Sequence, residues 1–136
     1  MKSQHVSWIG EGFRFLGTDS SGQRAVIDAD GTGEGLKPSD MLPISLAACT
    51  AYDIVNILRK QRQDLRGLEA RIESVQDPDP PWRFRSIAVH YTARGDVDAA
   101  KARKALTLSE EKYCSVSATL RDAVELTFTI DVVPFE

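Results

Sequence analysis

Over the first thirty positions, apolar residues alternate or cluster with β-formers in HVSWIG, GFRFLGT and RAVIDA. Three short strands are therefore predicted within 1–30, with TDSSGQ as the turn before the third. The segment DADGTGEGLKPSD follows, with three glycines, a proline and four acidic residues. It predicts a loop whose backbone freedom suits the rim of a site. The pattern then becomes helical over 39–63, with Ser39 or Asp40 able to cap and Pro43 tolerable near a first turn. From Met41 to Ala51 this helix is apolar nearly all round, which predicts burial on most sides. Its second half, YDIVNILRKQRQ, has Ile54, Val55, Ile57 and Leu58 as an inward stripe, and its basic tail suits a helix C-terminus.

Two alternating stretches, GLEARIESVQD and RFRSIAVHYTARG, predict a strand pair over 66–95, a hairpin joined through PDPPW. Leu68, Ala70, Ile72 and Val75 would share a covered face with Ile87, Val89 and Tyr91. DVDAAKARKALTLSEEKY predicts a second helix capped by Asp96 or Asp98, and a shorter one follows Cys114, so that helices occupy 96–121. A last strand is expected over 123–134, with Val124, Leu126, Phe128 and Ile130 on one face. The order βββαββααβ implies an α+β fold of antiparallel sheets and two main helices, one domain over 1–136. A helix apolar all round needs more cover than one small sheet offers, so a homodimer sharing it is expected.

Composition narrows the function. The chain has 136 residues, 42% hydrophobic and 27% charged, with a formal charge of −3. Those are values of an ordinary soluble domain. Its lysines and arginines are spread along the sequence, so no nucleic-acid partner is expected. No apolar leader opens the chain, and the window Met41–Ala51 is shorter than the ~20 residues that cross a bilayer. A cytoplasmic location away from the membrane is expected; a transient catalytic disulfide is compatible with it, a permanent one is not.

Two cysteines carry the candidate chemistry. Cys49 and Cys114 lie far apart and form no CxxC. His5 and His90 could complete a Cys₂His₂ set, but the spacing gives it no support, so neither metal nor cofactor is expected. His90 reads as a strand residue with an ordinary hydrogen bond. Cys49, among Leu46, Ala47, Ala48 and Ala51, reads by itself as a small buried hydrophobe. Cys114, in SEEKYCSVS, falls at a break between helices. A helix N-terminus stabilises a thiolate, and both cysteines fall within a turn or two of one, so a reactive pair stands beside the filler reading.

KPSDMLPISLAACTAYDIVNILRK, followed by LSEEKYCSV, resembles the OsmC/Ohr family, named for osmotically inducible protein C and organic hydroperoxide resistance protein. Trp8 to Thr18, W-x-G-x-x-F-R-F-x-G-T, is similar to the opening strands of its OsmC-like branch. The resemblance implies an intertwined homodimer with two active sites at the subunit interface. It also implies thiol-dependent reduction of organic hydroperoxides. Cys49 would attack the peroxide and become a sulfenic acid, Cys114 would condense with it, and an external dithiol of lipoyl type or a small thiol would reopen the disulfide. An apolar wall around Cys49 would favour hydrocarbon-bearing peroxides by about 0.8 kcal/mol per buried methylene.

By its place in GFRFLG, Arg14 matches the family arginine that stabilises the thiolate and orients the peroxide. Its plainer reading is an exposed strand residue between inward-facing Phe13 and Phe15. The family's charge partner, a glutamate after the motif's proline, is replaced by Ser39. Asp40, one residue on, corresponds to the acidic residue of the OsmC-like branch and would either hold Arg14 or cap the helix. Glu34 is a further carboxylate within the loop. This departure leaves two other readings in play: a small-molecule-binding dimer without peroxidase activity, and a structural dimer with inert core cysteines.

Overall fold

A computed structural model describes residues 1–31 and 33–136; Thr32, within the predicted glycine-rich loop, lies outside the described residues. In chain order the elements are β1 (His5–Trp8), β2 (Arg14–Thr18), β3 (Arg24–Asp28), α1 (Met41–Lys60), β4 (Asp64–Gln76) and β5 (Phe84–Asp96). Then come α2 (Ala99–Leu108), a π-turn (Ser109–Tyr113), α3 (Ser115–Leu120) and β6 (Glu125–Val133). The expected order βββαββααβ is recovered. Where the sequence suggests one domain, the chain forms two compact units, Met1–Leu42 and Pro43–Glu136, with the division inside the first turn of α1.

The first unit is an antiparallel meander in the order β1-β2-β3. Its second turn closes because the Asp19 carboxylate accepts the Ser21 and Gln23 amides at 2.8 and 2.9 Å. The register that follows sets Arg14 opposite Asp28. The loop then folds back along β3, with Asp28 N–H donating to Leu36 O at 3.0 Å and Leu36 N–H to Val26 O at 3.3 Å. Among the described residues of this unit only Asp28 is fully buried, while Val6, Trp8, Phe13, Val26 and Leu36 are exposed. Some forty residues cannot enclose a core of their own. Phe13 is thus not inward-facing: it sits in the turn before β2.

The second unit holds the core. β4 and β5 form the predicted antiparallel hairpin, but β6 runs parallel to β5, which corrects the expectation of purely antiparallel sheets. The reason is the connection: α2, the π-turn and α3 lie between β5 and β6, a crossover long enough to bring the chain back to the same end. Ile87, Val89, Tyr91 and Ala93 of β5 are buried, and Leu126, Phe128, Ile130 and Val132 of β6 pack beside them. Val75, expected on this face, is exposed because it is out of phase with Ile72 and Ser74, and the ladder shifts register beside it. On the opposite, polar face one ring nitrogen of His90 bonds the Thr129 hydroxyl and the other lies 3.2 Å from Asp131 Oδ2, as befits an ordinary strand histidine.

α1 buries Leu46, Ala47, Thr50, Ile54 and Leu58, a stripe of helical spacing. Its first half is not covered all round. Ile44, Ala48 and Tyr52, at successive steps of four, are exposed. By length and composition alone the whole helix could cross a bilayer, although Met41–Ala51 is too short to do so. Its inward stripe belongs to the core cluster.

One polar contact fixes α1 on the sheet. The Tyr91 phenol, fully buried, donates to Ala47 O at 2.7 Å, with the Thr50 hydroxyl beside it. Tyr91→Phe removes that donor and leaves the helical carbonyl its own partner. A stability loss of about 0.5–1.5 kcal/mol is expected, read from urea unfolding.

Candidate active site

Cys49 occupies the third turn of α1, half-buried, on the helix face that continues through Asp53, Asn56 and Lys60. The second thiol reaches it by a longer route. Asp98 caps α2, its carboxylate accepting Lys101 N–H at 3.0 Å, as the sequence suggests. At the other end of α2 the helix widens by one residue per turn, and Cys114 N–H donates to Ser109 O at 2.9 Å. Ser109 is fully buried, and its hydroxyl donates to Asp53 Oδ2 at 2.6 Å. Asp53 lies one turn beyond Cys49.

Cys114, 2% exposed, is the N-cap of α3, where its sulfur accepts Ser117 N–H at 3.3 Å. The adjacent backbone, at Val116, lies near Cys49 and acts to lower its pKa. Both sulfurs thus lie at the first turn of α3. For Cys49 that helix terminus is not its own. The thiols are free, and the Cys114 side chain lies near enough to Cys49 to raise its pKa. Cys49 and Cys114 are therefore brought together, as a reactive pair requires.

The local electrostatics favour the thiol over the thiolate. Burial is the main reason the Cys49 pKa is raised, followed by its hydrogen bond with Cys114. Val116 N–H acts the other way, and the charges of Cys114 and Asp53 add to the rise. Burial likewise raises the Tyr91 phenol far above its ordinary value. Beyond Asp53 the same face of α1 opens into a cleft of about 530 Å³, lined also by Asn56, Ile57, Lys60, Leu108 and Tyr113. Among the described residues there is no cluster of three His, Cys, Asp or Glu side chains fit to hold a metal.

In the first unit, Arg14 is half-exposed and has a carboxylate partner other than those expected. Its Nε lies 3.7 Å from Asp28 Oδ2, and Asp28 is 2% exposed. The other Asp28 oxygen accepts Asp30 N–H at 3.0 Å. Asp40, expected to hold Arg14 or cap α1, stands directly before α1 but forms no ion pair among the described residues, and neither does Glu34. A β-ladder sets Asp28 opposite Arg14, whereas Asp40 and Glu34 belong to a loop with no such register.

Glycines close the loop over this pair. A Cβ on Gly33 would run into the Asp28 carboxylate and come within 3.4 Å of the Arg14 guanidinium. One on Gly35 would meet the backbone of β3 at 2.7–2.8 Å. Three site residues escape the sequence reading: Asp28, Asp53 and Ser109. Counting the ladder outward from TDSSGQ would have paired Arg14 with Asp28, and Asp53 follows Cys49 by one helical turn. Ser109 had no signal, because a π-turn has no distinctive pattern. Gly33→Ala should destabilise the protein by about 1–3 kcal/mol, the usual cost of overpacking, in thermal or urea melts.

Comparison with known proteins agrees with this architecture. The family described as OsmC-like protein matches residues 31–129. Protein YhfA of Escherichia coli (strain K12) is 36% identical over 129 residues, 94% of this chain and 96% of that protein. A hypothetical protein from Aquifex aeolicus VF5 superposes with a TM-score of 0.87 at 27% identity, covering 100% of this chain and 98% of that one. The organic hydroperoxide resistance protein OhrB of Bacillus subtilis shares the fold, with a TM-score of 0.61 at 18% identity over 96% of this chain and 98% of that one. The chain belongs to the OsmC-like protein family.

Proposed function

We propose that this protein is a thiol-dependent peroxidase that reduces organic hydroperoxides. The observation that carries the reading is the proximity of the Cys49 and Cys114 side chains, which come from distant parts of the chain and meet at the first turn of α3. The Cys49 thiolate attacks the outer peroxide oxygen; the O–O bond breaks, and the alkoxide leaves as alcohol on taking a proton. The Cys49 sulfenic acid is then attacked by Cys114, forming the S–S bond and releasing water. Two thiols lose two electrons, and an external dithiol restores them by exchange.

Burial, the Cys114 side chain and the Asp53 charge all raise the Cys49 pKa, so turnover near neutral pH needs a compensating positive charge. Arg14 supplies it in this proposal, on the strength of its place in the family motif, with Asp28 taking the role of the absent glutamate. The functional unit is a homodimer. Supporting it are the uncovered Ile44, Ala48 and Tyr52 of α1 and the exposed apolar residues of the first sheet. The reducing cytoplasm supplies the dithiol.

A second reading, a small-molecule-binding dimer, is favoured by the raised Cys49 pKa together with Ser39 and the cleft beside Asp53. The two readings separate on one titration. Reduced protein mixed with one equivalent of an alkyl hydroperoxide should lose both thiols and gain an intramolecular disulfide; thiols that survive alongside intact peroxide rule the peroxidase out. Cys49→Ser should abolish turnover, Cys114→Ser should stop after one turnover and over-oxidise, and Arg14→Ala should slow peroxide consumption about a hundredfold or more. Native mass spectrometry of the purified protein tests the binding reading, which requires a retained ligand. Sedimentation should give a dimer at micromolar concentration, and a stable monomer would remove the shared-helix proposal.

A further inference from the structure

Ser109 is fully buried and uses all its polar groups to join separate segments. Its N–H donates to the carbonyls of Ala105 and Leu106, at the end of α2. Its carbonyl accepts Cys114 N–H at 2.9 Å, the bond that closes the π-turn. Its hydroxyl reaches across to Asp53 Oδ2 on α1 at 2.6 Å. An aspartate hydrogen bond of that length is charge-assisted and among the stronger polar contacts available to a serine. Two successive hydrogen bonds thus connect α1, one turn past Cys49, to the backbone of Cys114. No comparable role is needed for packing, since an alanine would fill nearly the same volume.

We propose that Asp53 and Ser109 form a latch that holds Cys114 in bonding reach of Cys49, and that they are positioning residues for disulfide closure. The attacking sulfur must meet the Cys49 sulfur in line with the bond that breaks, and small misplacements are costly in such a step. The π-turn allows that placement: its extra residue swings Cys114 out of the α2 register and makes it the N-cap of α3. The latch anchors the turn to the helix that carries the partner thiol. Asp53 has a second, opposing influence, because its charge disfavours the Cys49 thiolate. Charge and hydrogen bond therefore act on different steps, which makes them separable.

The role in turnover rests on the peroxidase reading, but closure itself needs no peroxide. The test uses the aryl disulfide dithiobisnitrobenzoate on the reduced full chain. Cys49 thiolate displaces one coloured thiolate, forming a mixed disulfide; Cys114 then attacks the Cys49 sulfur and releases the second. Ser109→Ala keeps the Asp53 charge and loses the bond. Asp53→Asn keeps an acceptor oxygen and loses the charge. In Ser109→Ala the first release should stay within about twofold of wild type while the second slows about tenfold or more. Asp53→Asn should close within about threefold of wild type and show a faster first release at neutral pH, since Cys49 titrates lower. With excess alkyl hydroperoxide, Ser109→Ala should accumulate Cys49 sulfinic acid, as a second peroxide oxidises the unresolved sulfenate and leaves as alcohol.

A wild-type second phase in Ser109→Ala overturns the proposal. So does equal slowing of both phases in both variants, which would signal general loosening of the site. A wild-type protein that closes its disulfide with the aryl reagent but ignores hydroperoxide sinks the peroxidase reading and leaves the latch in place.

Discussion

The Tyr91 phenol is an awkward group to place at the centre of a core, because buried and unbonded its hydroxyl would cost about 1–3 kcal/mol. Its solution is the Ala47 carbonyl at 2.7 Å, and the geometry of the larger unit follows from that contact. A carbonyl inside a helix points along the axis, so accepting from Tyr91 fixes both the height and the rotation of α1 on β5. With Ala47 facing the sheet, Leu46, Thr50, Ile54 and Leu58 turn inward and Ile44, Ala48 and Tyr52 outward. Cys49 falls at the edge between those faces, half-buried, where a sulfur can be reached from outside and still be dry on one side.

That position has an electrostatic cost, and the larger unit offsets it only in part. Withdrawal from water raises the Cys49 pKa, and the nearby Cys114 and Asp53 raise it further. The opposing influence is one backbone amide of α3. A dipole at a helix end contributes on the order of 1 kcal/mol, less than the desolvation of a buried anion. The balance favours the neutral thiol over the thiolate. It also makes an added cation the controlling element of any chemistry at neutral pH.

The elements were legible where local pattern decides them. Strand alternation, the apolar stripe of α1, the Asp98 cap and the approximate limits of each helix follow from spacing and propensity. The two thiols were legible as a pair only through family resemblance, since nothing in their separation says that they meet. Three features escaped for physical reasons. The parallel pairing of β6 depends on a crossover whose path is a property of packing, not of the strand. The π-turn differs from an α-helix by a single residue and leaves no periodic trace. The uncovered side of α1 looks buried in the sequence because alanine and isoleucine read alike whether they face a core or lie exposed.

Asp28, not a loop carboxylate, stands beside Arg14. Ser39 occupies the position at which the family resemblance implies a glutamate, and the carboxylates close to it in sequence, Asp40 and Glu34, lie in a loop. Loop residues pay entropy to be held in one place, whereas a cross-strand neighbour is held by the ladder itself. Asp28 is held in that way, and its carboxylate is additionally fixed by the Asp30 amide and covered by a residue with no side chain, Gly33. The anion at the Nε edge of a guanidinium can come from any carboxylate held there. At Arg14 it comes from the adjacent strand, as Asp28.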